Sequence, residues 1–175
     1  MPTSKKYSPE DMPPSLLEEP AMVYAAIAPS PFSQFVQRAL SLLGISEALY
    51  QIQNNADFIP MINKGIPKKS LDTLMDNTGI TIPEISGIIR TSDRTLRRYT
   101  AAQKLNPEQS ERVIELAKLY SRGEEVFGNM DAFKQWMNSS VMALGNKKPK
   151  TFLDTSMGID LLMNELGRIE HGIFA

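Results

Sequence analysis

Arg90, Arg94, Arg97 and Arg98 crowd one short stretch, "IIRTSDRTLRR", in a 175-residue chain whose net charge is −1. A guanidinium group can bridge O6 and N7 of guanine, or it can hold a phosphate oxygen and so position a protein without reading sequence. Ser92 and Thr95 add hydroxyls suited to the same partners. The molecule as a whole is no polycation, so binding to a polyanion must come from a local patch, and this stretch supplies one. A second concentration of chemistry lies at "LGRIEHGIFA", where Arg168, Glu170 and the single histidine, His171, stand beside Gly172, Ile173, Phe174 and Ala175.

The arginine stretch needs two helices to aim it. "TIPEISGIIR" has Thr81 at an N-cap position and Glu84 three residues on, a capping box, and its apolar residues Ile82, Ile85, Ile88 and Ile89 keep helical spacing. Arg90-Thr91-Ser92 forms a tight turn, and a second helix starts at Ser92 or Asp93 with Leu96 and Tyr99 facing inward. This is the build of a helix-turn-helix, whose second helix presents its N-terminal residues to base edges. Arg90, Ser92, Arg94, Thr95, Arg97 and Arg98 are then the DNA-binding residues. Asp93 can cap the helix, and as the cap it would also repel a phosphate placed beside it. A pair of packed helices with a solvated basic face would show the same pattern. One such unit makes few phosphate contacts and binds weakly, so a dimer reading two half-sites is expected.

The surrounding pattern is helical throughout, with no sustained period-two alternation, and the fold class is all-α. Residues 1–57 combine a Pro-rich arm, an apolar island "AMVYAAIA" and a helix opening at Ser30-Pro31; they are read as an arm and a helix with a possible part in dimerisation. "ADFIPMINKGIP" reads as a short, broken helix or loop ending at Gly65. Residues 58–122 carry the helix-turn-helix region and 123–175 a C-terminal unit, with a composition shift near Gly123–Asn129 and a long helix from Pro107 bridging the two. That helix opens with Asn106, Pro107 and Gln109, again a cap, an N1 proline and a capping box. The final helix starts near Ser156, with Ile159, Leu162, Leu166, Ile169 and Ile173 on one stripe. Without cysteine there is no disulfide and no thiolate metal site, and one histidine cannot supply a paired-histidine site. No apolar run approaches a membrane span and the start has no signal-peptide core, so a cytoplasmic location without membrane contact is expected.

Residues from about Phe58 to Ala175 resemble the Xre/MbcA/ParS family of bacterial antitoxins. "INKGIPKKSLDTLMDNTGITIPEISGIIRTSDRTLRRY" is similar to the family's helix-turn-helix region and "LNPEQSERVIELAKLYSRGEEVFGN" to its linking helix. Leu153-Asp154-Thr155, Gly158 and the run from Gly167 to Gly172 are the most specific match, to its toxin-binding domain. The resemblance implies an antitoxin whose C-terminal domain blocks a RES-domain toxin that consumes NAD, and whose helix-turn-helix represses its own operon, as a homodimer within a larger toxin–antitoxin complex. It implies no catalysis and no cofactor. One departure is the lysine-rich loop "GNKKPKTFLDT", with Lys147, Lys148 and Lys150.

The toxin-binding residues expected on this basis are Leu153, Asp154, Arg168, Glu170, His171, Gly172, Ile173, Phe174 and Ala175. A dinucleotide enzyme offers a concave pocket with groups for phosphate. Gly172 lets the chain leave the helix, Phe174 can bury apolar area, and a carboxylate beside Ala175 could meet a phosphate-binding arginine. Arg168 can fork onto a toxin carboxylate, or it can form a surface ion pair with Glu170 and His171. Asp154 and Thr155 have a structural reading as caps of the last helix, and Trp136 as a core anchor. The competing function is a stand-alone dimeric helix-turn-helix regulator with no toxin partner.

Overall fold

The computed structural model describes residues 31–46 and 52–172; Ser30, the arm before it, the apolar island and Ile173, Phe174 and Ala175 lie outside the described residues. Among the described residues eight α-helices follow in order: α1 Pro31–Leu42, α2 Phe58–Lys64, α3 Lys68–Thr78, α4 Ile82–Ile88, α5 Asp93–Arg98, α6 Pro107–Phe127, α7 Met130–Asn138 and α8 Ser156–Glu170. Among the described residues extended pairing is confined to two isolated bridges, Pro67 with Lys104 and Val141 with Lys147. The chain is all-α.

Local chemistry sets most helix starts. Asn106 Oδ1 accepts from Gln109 N at 2.8 Å, and Gln109 Oε1 accepts from Asn106 N at 3.1 Å, so α6 opens on a reciprocal capping box. Asn129 caps α7 through Ala132 N at 2.8 Å. Thr155, rather than Asp154, caps α8, accepting from Gly158 N at 3.1 Å. The "ADFIPMINKGIP" segment is a 3-10 turn over Asn55–Asp57 running into α2, which closes at Gly65. At the start of α3 no side chain caps the helix; instead the N–H groups of Lys68 and Lys69 donate to the carbonyls of Gln103 and Ala101 at 2.8 and 2.9 Å. The loop after α5 thereby supplies the acceptors that a helix N-terminus needs.

The long helix α6 is the spine. It packs against α1, α2, α7 and α8, and it buries Val113, Ile114, Leu116, Ala117, Leu119 and Tyr120 around much of its circumference. Gly123 does not break it. The helix continues to Phe127, and a Cβ at Gly123 would stand 2.3 Å from the Phe133 ring. The glycine lets α7 approach closely, so Phe133 stacks edge-on to Tyr120 (centroids 5.2 Å) and lies beside Phe127 and Trp136 at 5.9 and 5.7 Å. Trp136 is only half-buried, at the rim of this aromatic group rather than inside it.

Candidate functional site

At the basic end, α4 and α5 form the two short helices of the helix-turn-helix. Glu84 Oε2 accepts from Thr81 N at 2.9 Å and from its hydroxyl at 2.8 Å. The bond from the Thr81 N–H holds the Glu84 carboxyl below its ordinary value, with the Thr81 hydroxyl and Lys150 adding to this and burial opposing it. After Ile89 the chain enters the left-handed region at Arg90 (φ 52°), with Arg90 N donating to Gly87 O at 3.3 Å and Thr91 N to Ser86 O at 2.9 Å. This is the Schellman pattern, with arginine where glycine is the easy residue. Ser92 then caps α5, accepting from Thr95 N at 3.0 Å, which leaves Asp93 as the first helical residue rather than the cap. Leu96 is buried and Tyr99 half-buried, so the helix is seated by its inner side.

Arg90, Ser92, Arg94, Thr95, Arg97 and Arg98 all come out exposed on this one unit. Arg90 lies 3.3 Å from Glu108 at the start of α6. Among the described residues neither Arg94, Arg97 nor Arg98 has an ion-pair partner, so three guanidinium groups face solvent uncompensated.

The spine helix and the C-terminal unit treat their arginines differently. The buried Arg112 of α6 pairs with Glu115 and reaches Leu153 O at 2.6 Å and Ser156 Oγ at 2.9 Å. It thus pins the turn into α8 to the spine. Arg122 pairs with Glu125 at 2.8 Å and with Glu170, tying the end of α8 to α6. Arg168 lies 3.7 Å from Glu165, one turn back on the same helix, and His171 lies 4.0 Å from Glu170. Arg168 therefore pairs outside the grouping, while Glu170 stays beside His171 and also pairs with Arg122.

Of the residues expected at a toxin surface, Asp154, Arg168, Glu170, His171 and Gly172 are exposed. Leu153 is only 4% exposed and belongs to the core. Its side chain packs in the core, while its carbonyl serves Arg112. In the lysine loop Pro149 is buried and Lys147, Lys148 and Lys150 are exposed. Lys150 bonds Glu84 of α4 at 3.1 Å across a cleft of about 480 Å³ lined by Thr81, Tyr120, Lys134 and Asp154. Sequence reading overlooked Met157 and Leu161, one turn apart on the side of α8 away from the buried Ile159, Leu162 and Leu166. Their signal was present: two large apolar residues at i and i+4 that the core stripe does not use.

A pair of short helices with a basic outward face, joined through a shared helix to a second helical unit, defines a helix-turn-helix protein with an added partner-facing domain. Residues 57–118 match the antitoxin Xre-like helix-turn-helix domain, and residues 122–172 match the antitoxin Xre/MbcA/ParS C-terminal toxin-binding domain. Antitoxin Xre of Photorhabdus laumondii is 30% identical over 115 residues, covering 65% of this chain and 78% of that protein. A Prs ADP-ribosylating antitoxin of a Sphingobium species is 29% identical over 139 residues, covering 74% and 87%. The crystal structure of the M. tuberculosis MbcT–MbcA toxin–antitoxin complex contains a similar chain, with a TM-score of 0.46 and 21% identity over 62% of this chain and 96% of that one. The chain belongs to the Xre/MbcA/ParS antitoxin family, with a helix-turn-helix domain followed by a toxin-binding domain. Among the described residues no helix is long and apolar enough to cross a membrane.

Proposed function

We propose that this antitoxin neutralises a RES-domain toxin that consumes NAD, by docking its C-terminal domain over the toxin's active site, and that it represses its own operon through α4 and α5. The observation that carries the reading is the division of exposed chemistry between the two matched domains: among the described residues Arg94, Arg97 and Arg98 stand unpaired on one, and Met142, Met157 and Leu161 stand exposed on the other. A polyanion suits the first surface and a folded protein the second. NAD as the toxin's substrate draws support from the Sphingobium relative, whose name includes ADP-ribosylation; that chemistry takes its ADP-ribose from NAD. In this reading the chain is a cytoplasmic homodimer within a toxin–antitoxin complex, since paired half-sites supply the phosphate contacts that a single short helix lacks. It inhibits by occupation and catalyses nothing.

The test is co-expression with the product of the adjoining reading frame while cellular NAD is measured. NAD should collapse when the neighbour is expressed alone and hold when this chain accompanies it. Unchanged NAD in both cultures would remove the NAD-consuming partner from the reading. In parallel, gel-shift titration of the upstream DNA with the chain, alone and in complex, should show binding that weakens steeply with salt.

A further inference from the structure

Among the described residues, the large hydrophobic side chains standing well exposed are Ile59, Met142, Met157 and Leu161, and three of these four fall within the matched toxin-binding domain. Met157 is 83% exposed and Leu161 44% exposed, one turn apart on α8. Asn164 and Arg168, both exposed, continue the same line at spacings of three and four residues. The other side of α8 is already committed, with Ile159, Leu162 and Leu166 in the core. The helix is also fixed in place, capped by Thr155 and tied to α6 through Arg112 and Arg122. A rigid helix with one apolar face consumed by its own core and a second apolar line facing solvent has the form of a groove-binding helix.

We propose that the outer ridge of α8, Met157–Leu161–Asn164–Arg168, is the surface on which the toxin docks, seated in an apolar groove of the toxin and closed at its C-terminal end by a toxin carboxylate on Arg168. The proposal rests on the toxin-binding reading above and names the face that does the binding. The match of residues 122–172 to a toxin-binding domain selects the occupant. A groove in that partner wraps both flanks of the helix and buries Met157 and Leu161 together. Arg168 lies 3.7 Å from Glu165 and is itself exposed, so its guanidinium can take a carboxylate in a closer, forked arrangement. Methionine on the ridge suits a docking surface because its unbranched thioether adapts to the partner's contour.

The test uses the full chain and the purified RES-domain protein of the adjoining reading frame. Binding is followed by titration calorimetry, self-association by sedimentation and folding by circular dichroism. Met157→Lys with Leu161→Lys should weaken binding at least a hundredfold, and Arg168→Glu about tenfold, with the melting transition unmoved. Met157→Ser with Leu161→Ser keeps the question answerable should the lysine pair disturb folding, and it should still cost more than tenfold. Wild-type affinity in a folded double variant would overturn the α8 ridge and leave the toxin-binding reading standing. Loss of self-association with toxin affinity intact would assign the ridge to a second copy and also overturn the proposal. Failure of the wild-type chain to bind the RES-domain protein at all would remove the functional reading and the proposal with it.

Discussion

The two ends of this molecule dispose of their arginines in opposite ways. At the helix-turn-helix, Arg94, Arg97 and Arg98 extend from a six-residue helix without a carboxylate partner among the described residues. On the shared helix α6 and on α8, Arg112, Arg122 and Arg168 each have an acidic partner in the same chain, and the C-terminal domain exposes the large apolar side chains Met142, Met157 and Leu161. Arginine content alone would therefore misplace the polyanion-binding surface. What distinguishes the two sets is whether the positive charge is already spent on the fold.

That contrast can be broken by exchanging what each end exposes. The largest effect is expected from Arg94→Glu with Arg97→Glu, which puts two negative charges where phosphates are proposed to sit. DNA affinity in a gel shift should fall about a thousandfold while toxin binding and the melting temperature hold. Loss of toxin binding in that variant would dissolve the division between the ends.

Removing Arg112 should do the reverse, acting on the fold. Arg112→Ala strips the Leu153 carbonyl and Ser156 of their donor and leaves Glu115 without its guanidinium, held by the Ser156 hydroxyl. Glu115 is partly solvated, so the cost falls below that of a fully buried pair, at about 2 kcal/mol in denaturant unfolding. Gly123→Ala places two effects in competition. Alanine gains about 1 kcal/mol of helix propensity, while the Cβ meeting the Phe133 ring costs about 1–3 kcal/mol. Overpacking should win by about 1 kcal/mol.

Arg90→Gly sharpens the comparison within a single residue. Relief of the left-handed backbone should stabilise the protein by about 0.5–1 kcal/mol, while loss of one guanidinium should weaken DNA binding severalfold. The smallest effect belongs to the link between the ends, Lys150 to Glu84. Lys150→Ala should cost no more than about 0.5 kcal/mol, because the pair is exposed. Folding lowers the Glu84 pKa from 4.5, so the stability it confers is complete at neutral pH and is lost as the pH falls below that value. The acid-unfolding midpoint should move upward in Lys150→Ala, since one of the groups stabilising the carboxylate is gone.

How much of this was legible depended on distance along the chain. The capping residues Thr81, Glu84, Asn106 and Gln109 act across three residues, and the sequence alone placed their helices. Gly123 read as a change of composition near a boundary, because its true constraint is a ring ten residues away on another helix. The start of α3 has no capping side chain to read, since its acceptors are the backbone carbonyls of Ala101 and Gln103. Arg112 looked like one more helical arginine until the fold brought Leu153 and Ser156 to it. The family motif marks Leu153 as toxin-binding, yet a motif says which residues matter without saying which way they face, and the fold buries this side chain. Met157 and Leu161 were missed because a reading that searches for one apolar stripe per helix stops once Ile159, Leu162 and Leu166 supply it.

The shared spine also bears on how long each activity lasts. Helix α6 contributes side chains to the packing of both ends, and its central residues Leu116, Ala117 and Leu119 are fully buried. Opening either end exposes the same helix, so the amides at its centre should exchange with solvent only in the global unfolding event. A protease that unravels the chain from one end reaches α6 before it has finished with the first domain. Toxin restraint and occupancy of the DNA would then decay on a single clock, with no intermediate that keeps one and has lost the other.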